Sequence, residues 1–326
     1  MYNQKLPVFR PVVGDVRLTA FPVSRPKIHE MYITATQCFW TTNEVNASED
    51  AEHYNNKLTN EDRHLVKYIL AFFASSDGLV NVNITERFKD EVPMQDAIYF
   101  YNFQLMMEDI HANMYSILLD TIIPSQEERD QLISAAHNIP VIKSMTKFMT
   151  DCTESDAPFA ERLLRFACVE GIFFTGCFCV IYWLQFRGLM PGLGHSNELI
   201  ARDEKLHTEF GLLLYTMIEP EHKLSQKRIY EIFREAVNIA IQFINGALPK
   251  SLQEMNANLM KTYIENQADI LLGLIGLSPL YKVEHQFHFM NLINMARRTN
   301  FFEKSVSDYS KLVEPDTKKY EIADDF

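Results

Sequence analysis

The chain of 326 residues has little glycine and proline, 11 and 13 residues respectively, and almost no stretch in which polar and apolar residues alternate. It carries neither an internal repeat nor a low-complexity tract, so a strand-rich fold and a repeat array are both poor descriptions. A surplus of positive charge is missing too. The formal net charge is −12, and without a basic stripe to neutralise phosphates a nucleic-acid partner is not expected. Cysteine is sparse and odd in number, at positions 38, 152, 168, 177 and 179, which argues against a disulfide framework and for a reducing compartment. Cys177 and Cys179 are too close along a helix to share a face, so they read as small core residues and not as zinc ligands. Met1–Arg10 has no apolar signal region. The longest uncharged apolar run, Gly171–Gln185, falls short of the ~20 residues that span a bilayer. The expectation is a soluble cytoplasmic protein with no membrane segment.

What the sequence does have is apolar material, 47% of its residues, arranged at helical spacing. Residues 1–57, punctuated by Pro7, Pro11, Pro22 and Pro26, read as an irregular N-terminal arm. Thr59 followed by Asp62 resembles a capping box opening a helix that carries Val66, Ile69, Leu70, Phe73, Val80 and Ile84 on one face. A second helix runs from Pro93 to about Ile122, a shorter helical stretch covers 126–150, and a third long helix covers 159–186. A turn at Pro191-Gly192-Leu193-Gly194 then precedes a fourth helix from Asn197 to Ile218. Further helices are expected at 225–246, 251–275 and 285–300. Long helices joined by short breaks predict an all-α bundle spanning residues 1–310, with 311–326 as a flexible acidic tail.

Several charged residues fall on the apolar faces of these helices. Asp77 shares a face with Phe73, Val80 and Ile84. Glu108 lies with His111 and Tyr115, Glu170 sits between Phe166 and Phe174, and Glu204 faces the same way as His207. A buried unpaired carboxylate costs several kcal/mol, so it must be paired, protonated or bound to a metal. Four of them on four helices, with too few inward Lys or Arg to pair them, favour a metal. Glu108-x-x-His111 and Glu204-x-x-His207 each place a carboxylate and an imidazole one helical turn apart. Two such pairs plus two lone acids on two further helices form the ligand pattern of ferritin-like di-iron proteins. Hard carboxylate oxygens with a few imidazoles suit iron or manganese better than zinc or copper.

The Glu-x-x-His pair is weak by itself, since a protein of this length carries about one by chance. This sequence has two more. Glu61-x-x-His64 lies in the polar first turn of a helix, and Glu219-x-x-His222 is broken by Pro220. Only the two pairs inside apolar helices, matched by two lone acids, make a specific signal. Tyr115, seven residues after Glu108, sits two turns along and about 20° round the helix. An isolated buried tyrosine is usually a core residue with a satisfied hydroxyl. Beside a redox metal, with Phe174 and Phe178 one and two turns beyond Glu170, it reads instead as a shielded radical site.

The segments that carry these residues are FFASSDGLVNVNITER (72–87), MEDIHANMYSILLD (107–120), VEGIFFTGCFCVIYWLQFRGLMPGL (169–193) and NELIARDEKLH (197–207). Together they resemble the small subunit of class I ribonucleotide reductases of the eukaryotic and viral kind, over about residues 38–326. The resemblance implies two iron ions in an oxo-bridged centre, or manganese in a closely similar ligand set, held by Asp77, Glu108, His111, Glu170, Glu204 and His207. It assigns a stable tyrosyl radical to Tyr115, formed with dioxygen and an electron donor, in an apolar pocket of Phe174, Phe178 and Ile200. Trp40 and Asp203, flanked by Arg202, match the family's radical-transfer residues near the metal, and Tyr309 matches its tail tyrosine. The radical then passes to a separate large subunit that reduces ribonucleotides to deoxyribonucleotides. The last residues, YEIADDF, resemble the docking peptide for that subunit, with Tyr320, Ile322 and Phe326 as apolar anchors. Ala323 and Asp324 depart from the eukaryotic pattern. A homodimer is also implied. Three other readings remain open from the residues: another ferritin-like di-metal oxidase, an iron-storage protein, and a purely structural bundle.

Overall fold

A computed structural model describes residues 8–154 and 156–290, apart from the side chains of Asp77, Ala136, His137, Cys152 and Thr153. Among the described residues there is no strand, only two isolated β-bridges, Phe9 with Ile218 and Leu252 with Met255. Backbone proximity divides the molecule into Met1–Gln286 and a second unit beginning at Phe287.

The main helices of the first unit are α1 (Pro26–Gln37), α2 (Asn60–Asn83), α3 (Gln95–Ile122), α4 (Pro140–Glu154), α5 (Phe159–Cys168), α6 (Thr175–Phe186), α7 (Pro191–Met217), α8 (Gln226–Ala247) and α9 (Ala257–Leu274). Several start where a short polar side chain takes up an orphan backbone N–H. Thr59 accepts from the Asp62 N–H and Asp62 from the Thr59 N–H, both at 3.1 Å, which is the expected capping box. Ser225 and Asn256 cap α8 and α9 in the same way. Gly188, with φ of +71°, ends α6, and the Leu189 N–H returns to the Leu184 carbonyl.

Helix α2 packs along α3, α5 along α7, and α6 along α7, while α8 packs against α5 and α9 against α8 and α6. The core is dense in aromatics, including the fully buried Phe72, Phe73, Phe100, Phe173, Phe174 and Phe210. By length and composition two helical segments, Asn60–Glu91 and Phe159–Phe186, are apolar enough to cross a membrane. In the second, 94% of the most apolar window is buried inside the bundle, as a core helix requires. Cys177 and Cys179 are buried in it as free thiols.

The stretch expected at 126–150 is three helices and not one, the helix expected from 251 starts at Ala257, and three further features differ from the sequence reading. The stretch read as irregular contains α1, whose first residue is Pro26, because a proline at the first helical position lacks only an N–H that would have no partner there. The Pro191–Gly194 segment is not a separate turn but the first turn of α7. The buried Asp50 carboxylate accepts the Gly192 and Leu193 N–H groups at 2.9 and 2.7 Å, so this helix starts at Pro191 and not at Asn197. The rod over 159–186 is not continuous α-helix. Val169–Phe174 forms a π-helical turn, a local widening of the helix that commonly marks a functional position.

Candidate metal centre

The site lies where helical rods converge, and each rod contributes by its own local logic. On α3, Glu108, His111 and Tyr115 occupy one stripe that faces inward, its neighbours being the buried Phe100, Met107, Met114 and Leu118 together with Gln104. On α7, Glu204 and His207 do the same. Glu170 comes from the π turn between α5 and α6, in which it is buried. Gly171 beside it lets that turn press against α7: a Cβ there would lie 2.9 Å from Thr208 Cγ2. Asp77 lies on α2, but its side chain is outside the described residues.

Glu108, Glu170, Glu204 and His207 bring ligand atoms within 4.8 Å of one another, all buried. His111 Nδ1 lies 3.0 Å from Glu204 Oε1 and 3.2 Å from Glu108 Oε2. His207 Nδ1 lies 2.9 Å from Glu108 Oε1 and 3.4 Å from Glu204 Oε2. The two Glu-x-x-His pairs therefore interlock across α3 and α7. Burial works against charge on both imidazoles, yet the facing carboxylates outweigh it and hold their pKa well above the usual histidine value. Burial would likewise raise the Glu108 carboxyl, but His207 and His111 overcome it and push its pKa down. Glu170 goes the other way. Burial and the neighbouring Glu204 raise it well above the carboxylate range, and its Oε2 has no hydrogen-bond partner among the described residues. A buried acceptor left open beside two imidazole Nδ1 atoms and two further carboxylates is a donor set for a hard divalent cation.

Around this cluster the surroundings differ from side to side. Tyr115, 3% exposed, is stacked on Phe73 with ring centroids 4.3 Å apart and planes at 9°. Phe73 in turn touches Phe178 at 5.5 Å and Phe174 at 5.6 Å, so the two expected pocket rings reach the tyrosine's surroundings through Phe73. Ile200 is buried one turn before Glu204. Phe73 escaped the sequence reading as a pocket residue, although its place one turn before Asp77 on the same face was the available signal. Gln104, buried between Glu108 and Glu170, also escaped it. A neutral amide one turn before a glutamate carries no distinctive pattern.

On another flank, Asp203 Oδ2 accepts the Trp40 indole N–H at 2.7 Å and lies 3.2 Å from His111 Nε2. The Trp40 and His111 rings lie parallel within 20°, with centroids 6.0 Å apart. Burial alone would raise the Asp203 carboxyl, but His111, Arg202 and the indole donor bring its pKa below the ordinary value. Arg202 also donates to the Cys38 carbonyl, which ties the Trp40 segment to α7. Tyr309, Tyr320, Ile322 and Phe326 lie outside the described residues.

Fold and cluster together define a ferritin-like helical bundle whose interior carries a buried carboxylate–imidazole cluster able to hold metal. Comparison with known proteins narrows that class. The family model "Ribonucleotide reductase, small chain" matches residues 17–288. The ribonucleoside-diphosphate reductase small chain of Nicotiana tabacum is 45% identical over 295 residues, covering 90% of this protein and 89% of that one. The ribonucleoside-diphosphate reductase subunit M2 of Homo sapiens is 44% identical over 297 residues, covering 91% and 76%. Among solved structures, the ribonucleotide reductase Rnr4 homodimer from Saccharomyces cerevisiae superposes with a TM-score of 0.75 at 33% identity, over 90% of each protein. The ribonucleotide reductase R2 subunit from Clostridium botulinum shares the fold, with a TM-score of 0.77 at 21% identity over 90% of this protein and 96% of its own length. The chain belongs to the ribonucleotide reductase small-chain family, and its role is that of the small subunit of this oxidoreductase.

Proposed function

We propose that the cluster holds two metal ions, iron by preference with manganese as the alternative, ligated by Asp77, Glu108, His111, Glu170, Glu204 and His207, and that Tyr115 carries a stable radical. The observation that supports this most is the convergence of Glu108, Glu170, Glu204 and His207 within 4.8 Å in a fully buried site, with Tyr115 two turns along α3 from Glu108. When bound, such a pair of ions supplies the oxidising power that removes one electron from a tyrosine, drawing on dioxygen and an external electron donor.

The protein's own residues prepare the rest. Each imidazole must give up its Nδ1 proton to become a ligand, so metal uptake releases protons. Asp203 holds the proton on His111 Nε2 and so directs Nδ1 to the metal. Because the same carboxylate oxygen accepts from Trp40, a hydrogen-bonded route leads out of the centre from His111 through Asp203 to Trp40. Phe73, Phe174 and Phe178 keep water and reductants from Tyr115. From Trp40 the hole would pass by way of Tyr309 to a large subunit on which Tyr320, Ile322 and Phe326 dock, with the small subunit acting as a homodimer in the cytoplasm.

The test is electron paramagnetic resonance of purified protein given ferrous iron and oxygen. A tyrosyl signal is expected, and Tyr115→Phe should retain the metal and lose the signal. An undiminished radical in that variant refutes the assignment.

A further inference from the structure

The ligand cluster gathers three buried glutamates around two imidazoles, and among the described residues Glu170 Oε2 has no partner. A neutral side chain also enters it. Gln104, 1% exposed on α3, directs its amide nitrogen at Glu170 Oε1 at 3.1 Å and at Glu108 Oε1 at 3.3 Å. One –NH2 group has two hydrogens, and here each has its own carboxylate on a different rod. This amide orientation is the favourable one, since turning it over would set the carbonyl oxygen against the Glu108 carboxylate. With the nitrogen facing the acids, Gln104 Oε1 has no hydrogen-bond partner among the described residues, so the residue forgoes one hydrogen bond of its own to make these two.

The arrangement selects for a neutral donor. A Lys or Arg at this place would pair with the carboxylates and cancel the charge a cation needs, whereas an apolar residue would leave Glu170 Oε1 without this donor. Glu170 needs one most, because it lies on a π turn and not on a regular helix. Engaging Oε1 fixes the rotation of the carboxyl group and leaves Oε2 as the atom presented to the cluster.

We propose that Gln104 is a positioning residue of the metal centre: its amide locks Glu170 and Glu108 in the mutual orientation that binds metal. This rests on the reading of Glu108 and Glu170 as metal ligands. Groups that orient metal ligands commonly contribute about ten- to a hundredfold to affinity, and Gln104 does so for two ligands at once.

The test uses Gln104→Met, which keeps length and volume but removes the donor, and Gln104→Asn, which keeps the amide but withdraws it by one methylene. Metal-free full-length protein is titrated anaerobically with manganese(II) alone, free ion being counted by electron paramagnetic resonance, and its melting temperature is measured without metal. Wild type should take up two equivalents. Both variants should bind at least one of them about tenfold or more weakly, while the metal-free melting temperature of Gln104→Met stays at or above that of wild type. Wild-type affinity in either variant overturns the proposal, as does a loss of affinity that merely follows a lower melting temperature in both. Failure of wild type itself to bind two equivalents instead refutes the underlying metal-site reading.

Discussion

Glu170→Gln should make the metal-free protein more stable while crippling its metal site. The structure sets the size of the effect. Glu170 is 1% exposed, and its Oε2 meets no donor among the described residues. Leaving a buried polar atom unsatisfied costs about 1–3 kcal/mol, and more when it is charged. Glutamine has nearly the same shape, can still accept from Gln104 Nε2, and cannot ionise beside Glu204. A pH dependence follows with a definite sign. Burial and Glu204 raise the Glu170 carboxyl above its ordinary value of 4.5, so the folded state holds a proton that the unfolded chain releases. The wild type therefore loses stability as pH rises above 4.5, by up to about 1.4 kcal/mol per pH unit until the folded carboxyl also ionises. The variant escapes this loss. Its advantage should be small near the ordinary carboxyl value and reach roughly 1–3 kcal/mol at about pH 7, or a melting temperature higher by roughly 1–5 °C for a chain of this length. Calorimetry of protein stripped with chelator, run from mildly acidic to mildly alkaline buffer, reads this directly. A variant less stable than wild type at neutral pH, or a gain that does not grow with pH, would refute the reasoning.

Three further outcomes are expected. Asp96→Ala should lower stability by about 3–5 kcal/mol, the usual result of breaking a buried ion pair. Asp96 is fully buried and holds Arg17 at 2.5 Å together with Ser24 and the Arg25 N–H. Burial would raise the Asp96 carboxyl, but Arg17 and Ser24 keep its pKa low, so its contribution is present above 3.8 and fades as pH falls through the depressed value. Urea titrations in neutral and in strongly acidic buffer should show the gap between variant and wild type narrowing in acid. Gly192→Ala should cost about 1–3 kcal/mol by overpacking, because the added Cβ would sit 2.5 Å from Ala47 Cα; an unchanged melting temperature would contradict the close approach. Removing residues 320–326 should abolish reductase activity with a large subunit while leaving metal content unchanged, and activity that survives would overturn the docking reading.

Much of this architecture was legible in the sequence, and the reason is periodicity. Acids at positions 108, 170 and 204 interrupt apolar stripes that are otherwise clean, and a buried carboxylate needs an explanation whatever the fold. The Thr59–Asp62 capping box was legible for a similar reason, since both partners are three residues apart and need no tertiary context. Helix boundaries that depend on distant partners were not. The start of α7 at Pro191 is set by Asp50, 142 positions away in sequence from Gly192. The capping carboxylate gives no local sign of the helix it caps.

The same division runs through the candidate metal centre. By itself the sequence determined that two Glu-x-x-His pairs, one further glutamate and a tyrosine must face a common interior, because helical spacing and the cost of burying charge leave little choice. Only the tertiary structure decided how they meet. The interlock of His111 with Glu204 and of His207 with Glu108 crosses between helices. Phe73 lies flat against Tyr115, Trp40 reaches His111 through Asp203, and Gln104 spans two carboxylates from two rods. Each of these relations except the last segment of Gln104 to Glu108 joins parts of the sequence that share no local pattern. Spacing along one helix says which way a side chain points, whereas the packing of several helices settles what it finds there.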